Sequence, residues 1–490
     1  MKKTILTRLL LLLLTLVLTL GAASCVTEKD EPQGTDAKEN GETQETGELD
    51  PTETLPDITF KGDVFTVFLR DGEEHISDLA VSAINENSTS VDKAVYARNK
   101  NVEEHFDIEF VYVKVKVSNQ ATAINKAVSS DPEQYDIIAA DGRTVFQGVT
   151  AGYYADWNEL EYINLDGSWW SQSARKEWTT PGGKLFAMNG DLSYMSVGNN
   201  CAVFFNKTLL EDAKITSPYD QVYANNWTFD TFVQSIKDID SNMNHDDTNN
   251  LDTDSFGYAT QWWRGPIYAT FCNGIGSLVK GQDGKYEIGL KNEAVGNTVE
   301  KYVELIKESG AAHYSNNLSK VRSAFLSERV AFTDDNVKCA VYFKGTGVDF
   351  GIVPYPKANK DVEYASLVGS GTNTFAVIKT MSPAKLSRAS VILEAMACYG
   401  NRDVIPYYYG TILSYQAMQD EHSLEMLKII RDAGFFDLGH YTNYGQIADV
   451  TKLLIDNPGQ YGTSIYTAIE VLEGKTMAEL EIWYLLDDLD

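Results

Sequence analysis

The sequence has 490 residues, and its 70 acidic residues against 41 lysines and arginines give a formal net charge of −29. A chain of this length has room for two or three domains. Its acidity excludes a protein that grips nucleic acid through clustered basic side chains, so we expect no nucleic-acid partner.

The chain begins with the pattern of a secretory signal that ends in a cysteine. Its parts are a basic start, an uncharged apolar run and small residues before the cysteine: Lys2, Lys3 and Arg8, then residues 9–20, then residues 21–24 and Cys25. This arrangement resembles the signal of bacterial lipoproteins, in which the cysteine is acylated and becomes the new N-terminus. The resemblance implies that residues 1–24 are removed and that a lipid on Cys25 holds the protein at the outer face of the cytoplasmic membrane.

An uncleaved membrane anchor is the alternative interpretation of this N-terminal segment. Residues 9–27 carry no charge and nearly reach the length of a bilayer-spanning helix. In both interpretations the rest of the protein lies outside the cytoplasmic membrane.

Residues 25–57 are predicted to form an acidic disordered tether. Residues 26–57 hold eleven acidic residues against Lys29 and Lys38, with few bulky aliphatic side chains. Such a segment cannot bury enough apolar surface to offset the entropy cost of ordering it. We therefore expect a folded body that starts near residue 58 and is held at a membrane by this tether.

The first part of the body alternates between strand and helix patterns. Strand patterns lie at residues 65–70 and 108–117, and helix patterns at residues 92–105 and 121–130. Residues 135–140 are typical of a buried parallel strand, and an Asp-Gly-Arg sequence follows it. Because open α/β sheets bind ligands beyond the carboxyl ends of their strands, Asp141 and Arg143 are candidate ligand-binding residues. The alternative is a plain Asp-Gly turn with a solvated arginine.

The α/β alternation continues through the rest of the body. Further strand patterns lie at residues 202–205, 351–353 and 374–378. Residues 295–308 and 423–433 have the spacing of amphipathic helices, and Gly434 is placed to end the second one.

Four cysteines follow Cys25, namely Cys201, Cys272, Cys339 and Cys398. They are far apart and lack the spacing of a metal site or a redox motif. Two interpretations stay open. One is one or two disulfides, which an exported chain permits, and the other is four small buried thiols.

Six short segments, in a fixed order along the chain, indicate a family. They are Tyr135-Asp136-Ile137-Ile138, Asp156-Trp157-Asn158, Trp169-Trp170, Phe204-Phe205-Asn206-Lys207, Trp227-Thr228-Phe229-Asp230 and Phe350-Gly351-Ile352-Val353-Pro354-Tyr355-Pro356-Lys357. Each segment is weak alone. Their order behind a lipoprotein-type signal and an acidic tether resembles the family 1 extracellular solute-binding proteins of ABC importers, in particular those for carbohydrates.

This resemblance implies an α/β protein with the two-lobe fold of periplasmic binding proteins, whose lobes close on a ligand in the cleft. Lobe 1 would comprise residues 58–194 plus 370–415, and lobe 2 residues 195–369 plus 416–490. The chain would cross between the lobes near residues 191–201 and return near residues 369–374. The glycines at positions 369 and 371 suit a hinge that changes its backbone dihedral angles, although glycines also serve ordinary turns.

A cleft for sugars needs aromatic faces for the rings and polar groups for the hydroxyls. Two tandem tryptophan pairs supply such faces, and we expect one ring of each pair near the cleft. An aspartate at a predicted crossing, a second aspartate and a tyrosine are further candidates. In chain order, these residues are Trp169, Trp170, Asp191, Trp262, Trp263, Asp335 and Tyr408. The alternative is that the tryptophans fill the core and the other side chains lie on the surface.

The motifs predict no cofactor, no metal and no catalysis. Residues 238–254 are rich in Asp and Asn, which suit calcium, but no register supplies both the glycine and the glutamate of an EF-hand loop. A solvated acidic loop is the other interpretation of that segment. Two Ser-x-x-Lys matches lack their companion motifs, and the six histidines show no zinc spacing.

Two hypotheses of different classes follow for the function. In the first, the protein is a monomeric, lipid-anchored subunit that captures a sugar or oligosaccharide and delivers it to ABC permease subunits. In the second, it is a surface glycoside hydrolase, because aromatic side chains and carboxylates suit that chemistry as well. A carbohydrate sensor without transport is a third possibility. The resemblance favours the first hypothesis.

Overall fold

The structure is a computed structural model, and it describes residues 50–239, 250–282, 284–410 and 420–488. Its strands are β1 (Asp63–Arg70), β2 (Ile108–Val115), β3 (Ile137–Asp141), β4 (Cys201–Asn206), β5 (Phe256–Gln261), β6 (Leu278–Lys280), β7 (Tyr286–Ile288), β8 (Ala312–Ser315), β9 (Val330–Asn336), β10 (Phe350–Pro354), β11 (Ser366–Leu367), β12 (Asn373–Ala376) and β13 (Gly434–Phe435).

Helices separate most of these strands. The α-helices are Glu73–Leu79, Ser90–Phe106, Val117–Ser130, Gly142–Thr150, Gln172–Trp178, Met195–Gly198, Lys207–Asp212, Pro218–Tyr223, Phe229–Lys237, Gly265–Phe271, Glu293–Glu308, Leu318–Leu326, Ala340–Phe343, Pro383–Tyr399, Ile405–Tyr407, Glu421–Asp432, Leu438–Thr442, Val450–Asp456, Pro458–Tyr461 and Ile465–Leu485. Short 3-10 helices are Pro51–Thr54, Trp157–Glu159, Val337–Cys339, Tyr444–Asp449 and Leu486–Asp488, and Gly400–Val404 is a π-helical turn.

The first sheet has the strand order β12-β3-β1-β2. The central strand β1 pairs in parallel with β2 and β3, whereas β12 pairs antiparallel with β3. Strand β1 buries Phe65, Val67, Phe68 and Leu69 completely, as expected for a strand covered by helices on both faces. Strand β2 lies at the edge and ends at Val115, two residues before the end of the predicted strand.

The second sheet has the strand order β10-β4-β9-β5-β8. Strand β5 pairs in parallel with β8 and β9, and β4 pairs antiparallel with β9 and β10. Every residue of β4 is buried, in agreement with the apolar run from which this strand was predicted. Its Phe204 ring packs edge-on against Phe343, which is also fully buried.

Two neighbouring segments connect the sheets. One runs from Met188, which bridges Phe375 in β12, to Asn200, which bridges Val368 just beyond β11. The other runs between Val368 and Phe375. Asn199 Nδ2 donates to Thr372 Oγ1 at 2.9 Å and ties the two segments together. The predicted α/β architecture with segments crossing near residues 191–201 and 369–374 is confirmed.

The C-terminal helices contact elements that flank both sheets. The Phe146 ring, in the helix after β3, stacks on Trp483 with ring centres 6.1 Å apart. On the second-sheet side, Thr270 Oγ1 lies 2.6 Å from Thr451 Oγ1, and the Tyr286 amide donates to the Tyr484 hydroxyl at 2.6 Å. These helices therefore pack across the junction of the two sheets.

The cysteines, residues 50–57 and Gly434 were each the subject of a sequence-based expectation that the structure decides or corrects. Cys201, Cys272, Cys339 and Cys398 are free and buried, so the thiol interpretation is correct. Residues 50–57, expected in the tether, are ordered, because Asp50 caps the helix Pro51–Thr54 and pairs with Arg402 at 3.3 Å. Gly434 follows the C-cap residue Ala433 but lacks the positive φ angle of a glycine that ends a helix, and it begins β13 instead.

Candidate ligand-binding site

A cavity of about 330 Å³ lies where strands β3, β5 and β9 end, beside the second crossing segment. This volume is within the range of about 300–1,000 Å³ that is usual for small-molecule sites. The lining residues are Asp141, Arg143, Gln261, Trp263, Arg264, Ile267, Tyr268, Asn336, Leu367, Gly369, Ser370, Gly371 and His440. Because residues from both sheets line it, we refer to this cavity as the cleft.

The first sheet contributes Asp141 at the end of β3. One carboxylate oxygen accepts from Arg70 Nη1 at 2.7 Å, and the other accepts from the Arg143 amide at 3.1 Å. Burial raises the pKa of Asp141, against the effect of the Arg70 charge. Arg70 Nη1 also donates to the Gly371 carbonyl at 3.2 Å, so this ion pair joins the sheet to the crossing segment.

Arg143 is held in place rather than solvated. Its Nε donates to the His440 carbonyl at 3.1 Å, and its Nη2 donates to Asp449 Oδ1 at 3.1 Å. Its guanidinium carbon lies 5.9 Å from the centre of the Trp263 ring, which is within the range of a cation–π contact. The plain-turn alternative for this segment is therefore wrong for Arg143.

The second sheet contributes a hydrogen-bonded group at the end of β9. Arg264 Nη1 donates to Asn336 Oδ1 at 2.7 Å and pairs with Asp335 Oδ1 at 3.0 Å. The Tyr268 hydroxyl also donates to Asn336 Oδ1, at 3.0 Å. These contacts fix the position of the Arg264 side chain on the wall of the cleft.

Asp335 lies behind this wall and is only 1% exposed. It pairs with Arg322 Nε at 2.7 Å as well as with Arg264. Burial alone would raise the pKa of Asp335, but the two guanidinium groups hold it below its usual value. Asp335 is thus a buried partner of two arginines and is not among the residues that line the cleft.

The two rings of the second tandem pair lie in different surroundings. Trp263 is 42% exposed and lines the cleft. Its backbone amide donates to Gln261 Oε1 at 3.0 Å. Trp262 lines a separate cavity with His313 and Tyr314, and the two indole rings are 4.9 Å apart. Of this pair, Trp263 is the ring that a ligand in the cleft would meet.

The crossing segment is bound to the cleft through Ser370. Its amide donates to His440 Nε2 at 3.2 Å, and its carbonyl accepts from the Gly142 amide at 2.8 Å. Burial, together with the Arg143 charge, lowers the pKa of His440 well below its usual value. The imidazole is therefore neutral and carries its proton on Nδ1, since Nε2 is the acceptor.

The first tandem pair lies away from the cleft. The indole N–H groups of Trp169 and Trp170 each donate to one carboxylate oxygen of Glu394, both at 2.9 Å. Trp170 is 1% exposed and packs edge-on against Trp157. Burial raises the pKa of Glu394 to about 7. This cluster matches the core alternative for the pair.

Asp191 and Tyr408 also lie outside the cleft. Asp191 Oδ2 accepts from Asn401 Nδ2 at 2.7 Å and lines a different cavity of about 430 Å³. Burial raises the pKa of Asp191 to about 7. Tyr408 is 4% exposed, and its ring stacks on Tyr194 with centres 4.6 Å apart. The structure therefore brings together three of the predicted residues in the cleft, Asp141, Arg143 and Trp263. Two others, Trp170 and Asp191, line the other cavity together.

Six polar residues of the cleft were not predicted as site residues from the sequence, namely Gln261, Arg264, Tyr268, Asn336, Ser370 and His440. Gln261 and Asn336 are the last residues of β5 and β9. Asp141 was identified because it lies at the end of a buried strand. The same criterion would have identified Gln261 and Asn336 if β5 and β9 had been predicted as strands.

The acidic segment at 238–254 lies largely outside the described residues. In its described part, Asp252 pairs with Lys320 at 2.5 Å, and Asp254 accepts from the Asn250 amide at 2.7 Å. Over the four described ranges, no group of three or more histidine, cysteine or acidic side chains is arranged to hold a metal ion. Within those same ranges, no helix is long and apolar enough to cross a membrane.

No protein-family model and no curated protein matches this sequence. Three solved structures illustrate what the fold resembles. The glycerophosphocholine complex of UgpB from Mycobacterium tuberculosis is 13% identical, covers 86% of this chain and 98% of its own, and has a TM-score of 0.57. A cyclic alpha-maltosyl-1,6-maltose binding protein from Arthrobacter globiformis is 15% identical, covers 86% and 99%, and has a TM-score of 0.56.

The third structure is a family 1 extracellular solute-binding protein from Bifidobacterium longum subsp. infantis. It is 12% identical, covers 86% of this chain and 100% of its own, and has a TM-score of 0.54. Identities this low establish the architecture without establishing a ligand. The chain has the α/β fold of the extracellular solute-binding proteins.

Proposed function

We propose that this protein is the substrate-binding subunit of an ABC importer and captures a sugar or oligosaccharide. The observation that supports this proposal most directly is the composition of the cleft. The partly exposed Trp263 indole lies there beside fixed polar groups at the ends of strands from both sheets. The fold shared with solute-binding proteins supports it. Two of the three proteins compared above bind different kinds of ligand, one glycerophosphocholine and the other cyclic alpha-maltosyl-1,6-maltose. The sugar assignment therefore depends on the chemistry of the cleft.

That chemistry suits a sugar. The Trp263 ring offers a flat apolar face against which the C–H groups of a sugar ring pack. Around it, Asp141, Asn336 and Gln261 present oxygen and amide groups that are already fixed by their neighbours. Preorganised polar groups bind hydroxyls at a smaller entropy cost than mobile ones.

We propose that the two sheets belong to two lobes that close on the ligand. Lobe 1 would comprise residues 58–194 plus 370–415, and lobe 2 residues 195–369 plus 416–490. The crossing segments at 191–201 and 369–374 would act as the hinge. The Arg143–Trp263 contact and the Lys338–Glu74 ion pair join elements of the two sheets and would separate on opening.

We also propose that a lipid on Cys25 anchors the protein at the outer face of the cytoplasmic membrane. The signal pattern of residues 1–24 supports this proposal, and residues 25–49 would serve as the tether. A tethered monomer stays near the permease subunits, which raises the effective concentration of loaded protein at its partner.

The protein is proposed to bind its ligand without cleaving it. Glycoside hydrolysis generally requires two carboxyl groups that flank the scissile bond. Among the described residues that line the cleft, Asp141 is the only acid, and it is paired with Arg70. The hydrolase hypothesis therefore lacks the second carboxyl group in this cleft.

Calorimetric titration of the mature protein against a panel of mono- and oligosaccharides tests the proposal. We expect at least one saccharide to bind with a one-to-one stoichiometry and to be recovered intact after long incubation, as judged by mass spectrometry. Failure of the whole panel to bind would reject the sugar assignment, and recovery of cleaved sugar would support the hydrolase instead.

A further inference from the structure

The charged groups around the cleft do not balance. Four guanidinium groups have three carboxylate partners: Arg70 pairs with Asp141, Arg143 pairs with Asp449, and Arg264 and Arg322 share Asp335. One positive charge is therefore in excess. The excess lies at Asp335, behind the wall of the cleft, where the two guanidinium groups of Arg264 and Arg322 share one carboxylate.

The neighbouring acid in β9 does not cancel this excess. Asp334 is 1% exposed, and its oxygens accept from the hydroxyls of Tyr258 and Thr260 at 2.8 and 2.7 Å. Burial raises the pKa of Asp334 to about 7. Near neutral pH it supplies only part of a negative charge, and its oxygens are already occupied by hydroxyl donors.

Arg264 has donors to spare on the wall of the cleft. Its contacts to Asp335, Asn336 and Tyr268 all use Nη1. Within the described part of the chain, its Nε and Nη2 have no hydrogen-bond partner. These two atoms form the edge of the guanidinium group that binds carboxylate and phosphate oxygens in pairs.

The aromatic face and this open edge come from consecutive residues, Trp263 and Arg264, and both line the same cavity. We propose that the ligand is an anionic saccharide, whose ring packs on Trp263 while its carboxylate or phosphate group binds the Nε and Nη2 edge of Arg264. This inference rests on the proposed sugar-binding function and specifies the class of sugar. A uronic acid and a sugar phosphate both provide the required oxyanion.

Matched pairs of acidic and neutral sugars test this inference by calorimetry. The probes are di- and trigalacturonate with their methyl esters, a glucuronate-terminated disaccharide with its neutral counterpart, and maltose 1-phosphate with maltose. We expect an acidic member to bind about tenfold or more tightly than its neutral partner, as a charge-assisted pair of hydrogen bonds predicts. The uronate and phosphate probes distinguish the two sources of the oxyanion.

Two arginine variants provide a matched comparison. Arg264→Gln and Arg322→Gln each remove one positive charge from Asp335 and leave it the other arginine as a partner. Only Arg264 lines the cleft. We expect Arg264→Gln to weaken binding of the acidic sugar by about tenfold to a hundredfold, with little change for its neutral partner. Arg322→Gln should leave both affinities within about twofold of wild type.

The outcomes separate this inference from the proposed function. If neutral sugars bind as tightly as their acidic partners, the anionic class is rejected and sugar binding stands. If no sugar of either kind binds, both are rejected. Equal losses of affinity in the two arginine variants would also overturn the inference, because they would indicate a general effect of charge rather than contact with Arg264.

Discussion

At the scale of single residues, the consecutive tryptophans Trp262 and Trp263 give the sharpest contrast in the molecule. Trp263 is 42% exposed in the cleft beside the Arg143 guanidinium group. Trp262 faces a separate cavity, and Lys452 Nζ lies 4.2 Å from the centre of its ring. The two side chains are chemically identical and both lie near Lys452, whose Nζ is 4.9 Å from the centre of the Trp263 ring, so their variants differ mainly in which cavity loses its indole ring.

We predict that Trp263→Ala weakens binding of the saccharide by about tenfold or more, because the stacking face and its buried apolar area are lost. Trp262→Ala should retain affinity within a few-fold, although it loses the Lys452 contact. Calorimetric titration of both variants measures the difference. Equal affinity for the two variants would show that the ligand does not pack on Trp263.

Sequence patterns identify only part of the cleft. Asp141, Arg143 and Trp263 were predicted because two of them follow a recognisable buried strand and the third belongs to an aromatic pair. Composition does not tell a tryptophan in the core from one in a cleft, and so Trp170 was proposed although it is buried against Glu394. Trp170 differs from Trp263 in that its indole N–H donates to a buried carboxylate, and the sequence does not reveal that partner.

At the scale of elements, the helix that begins at Gly142 packs closely against the crossing segment at Ser370, and this contact requires glycine at position 142. A Cβ atom at Gly142 would lie 2.5 Å from the Tyr441 ring and 2.9 Å from the Ser370 carbonyl oxygen. A Cβ atom at Gly369, in the crossing segment itself, would meet nothing within 4 Å. Gly369 and Gly371 also lack a positive φ angle.

We therefore predict that Gly142→Ala lowers the free energy of unfolding by about 1–3 kcal/mol, because backbone and ring must shift to admit the methyl group. The matched variant Gly369→Ala should change it by less than about 0.5 kcal/mol. Urea unfolding measures both values. A larger loss for Gly369→Ala than for Gly142→Ala would contradict this account of the junction.

Strands with apolar runs were predicted well, and a strand with buried acids was not. Strand β4 is wholly buried and was predicted within one residue at each end. Strand β9 contains Asp334 and Asp335, both 1% exposed, which the period-two and apolar patterns do not anticipate. Because their hydroxyl and guanidinium partners come from distant segments, the wall of the cleft that β9 supports could not be deduced from its own sequence.

At the scale of the whole molecule, buried carboxyl groups set a pH dependence of stability. Burial raises the pKa of Asp191, Asp334 and Glu394 to about 7. The folded state therefore binds more protons than the unfolded state, whose carboxyl groups titrate near pH 4, and stability falls as pH rises toward 7. Buried histidines such as His440, with a lowered pKa, act in the opposite direction, and their effect ends by about pH 7.5, where the unfolded-state imidazole has lost its proton.

Between about pH 6.5 and about pH 8, the carboxyl effect exceeds the remaining histidine effect, and we predict that the free energy of unfolding falls by about 1–2 kcal/mol. Urea unfolding at the two pH values measures this change. Asp334→Asn removes one of the three groups and should reduce the fall by about a third. Stability that is constant or rises over this interval would contradict the pKa assignment.

The proposed anchor makes a separate prediction for the whole protein. Cys25→Ala should release the protein from the membrane fraction or leave it unprocessed, because the acylated side chain is lost, while ligand affinity stays unchanged. Cell fractionation and calorimetry measure the two properties. Cys398→Ala, which alters a buried free cysteine, is the control and should remain with the membrane. A loss of affinity in Cys25→Ala would indicate that the tether contributes to binding.

In the proposed function, the cleft between the two sheets captures an intact saccharide. A crystal structure of the protein grown with the tightest-binding sugar of the calorimetric panel tests it most directly. We predict a sugar ring packed on Trp263, with polar contacts to Arg264 and Asn336 and with both sheets in contact with the ligand. A ligand bound instead in the cavity of Asp191, or outside the cleft altogether, would contradict the claim.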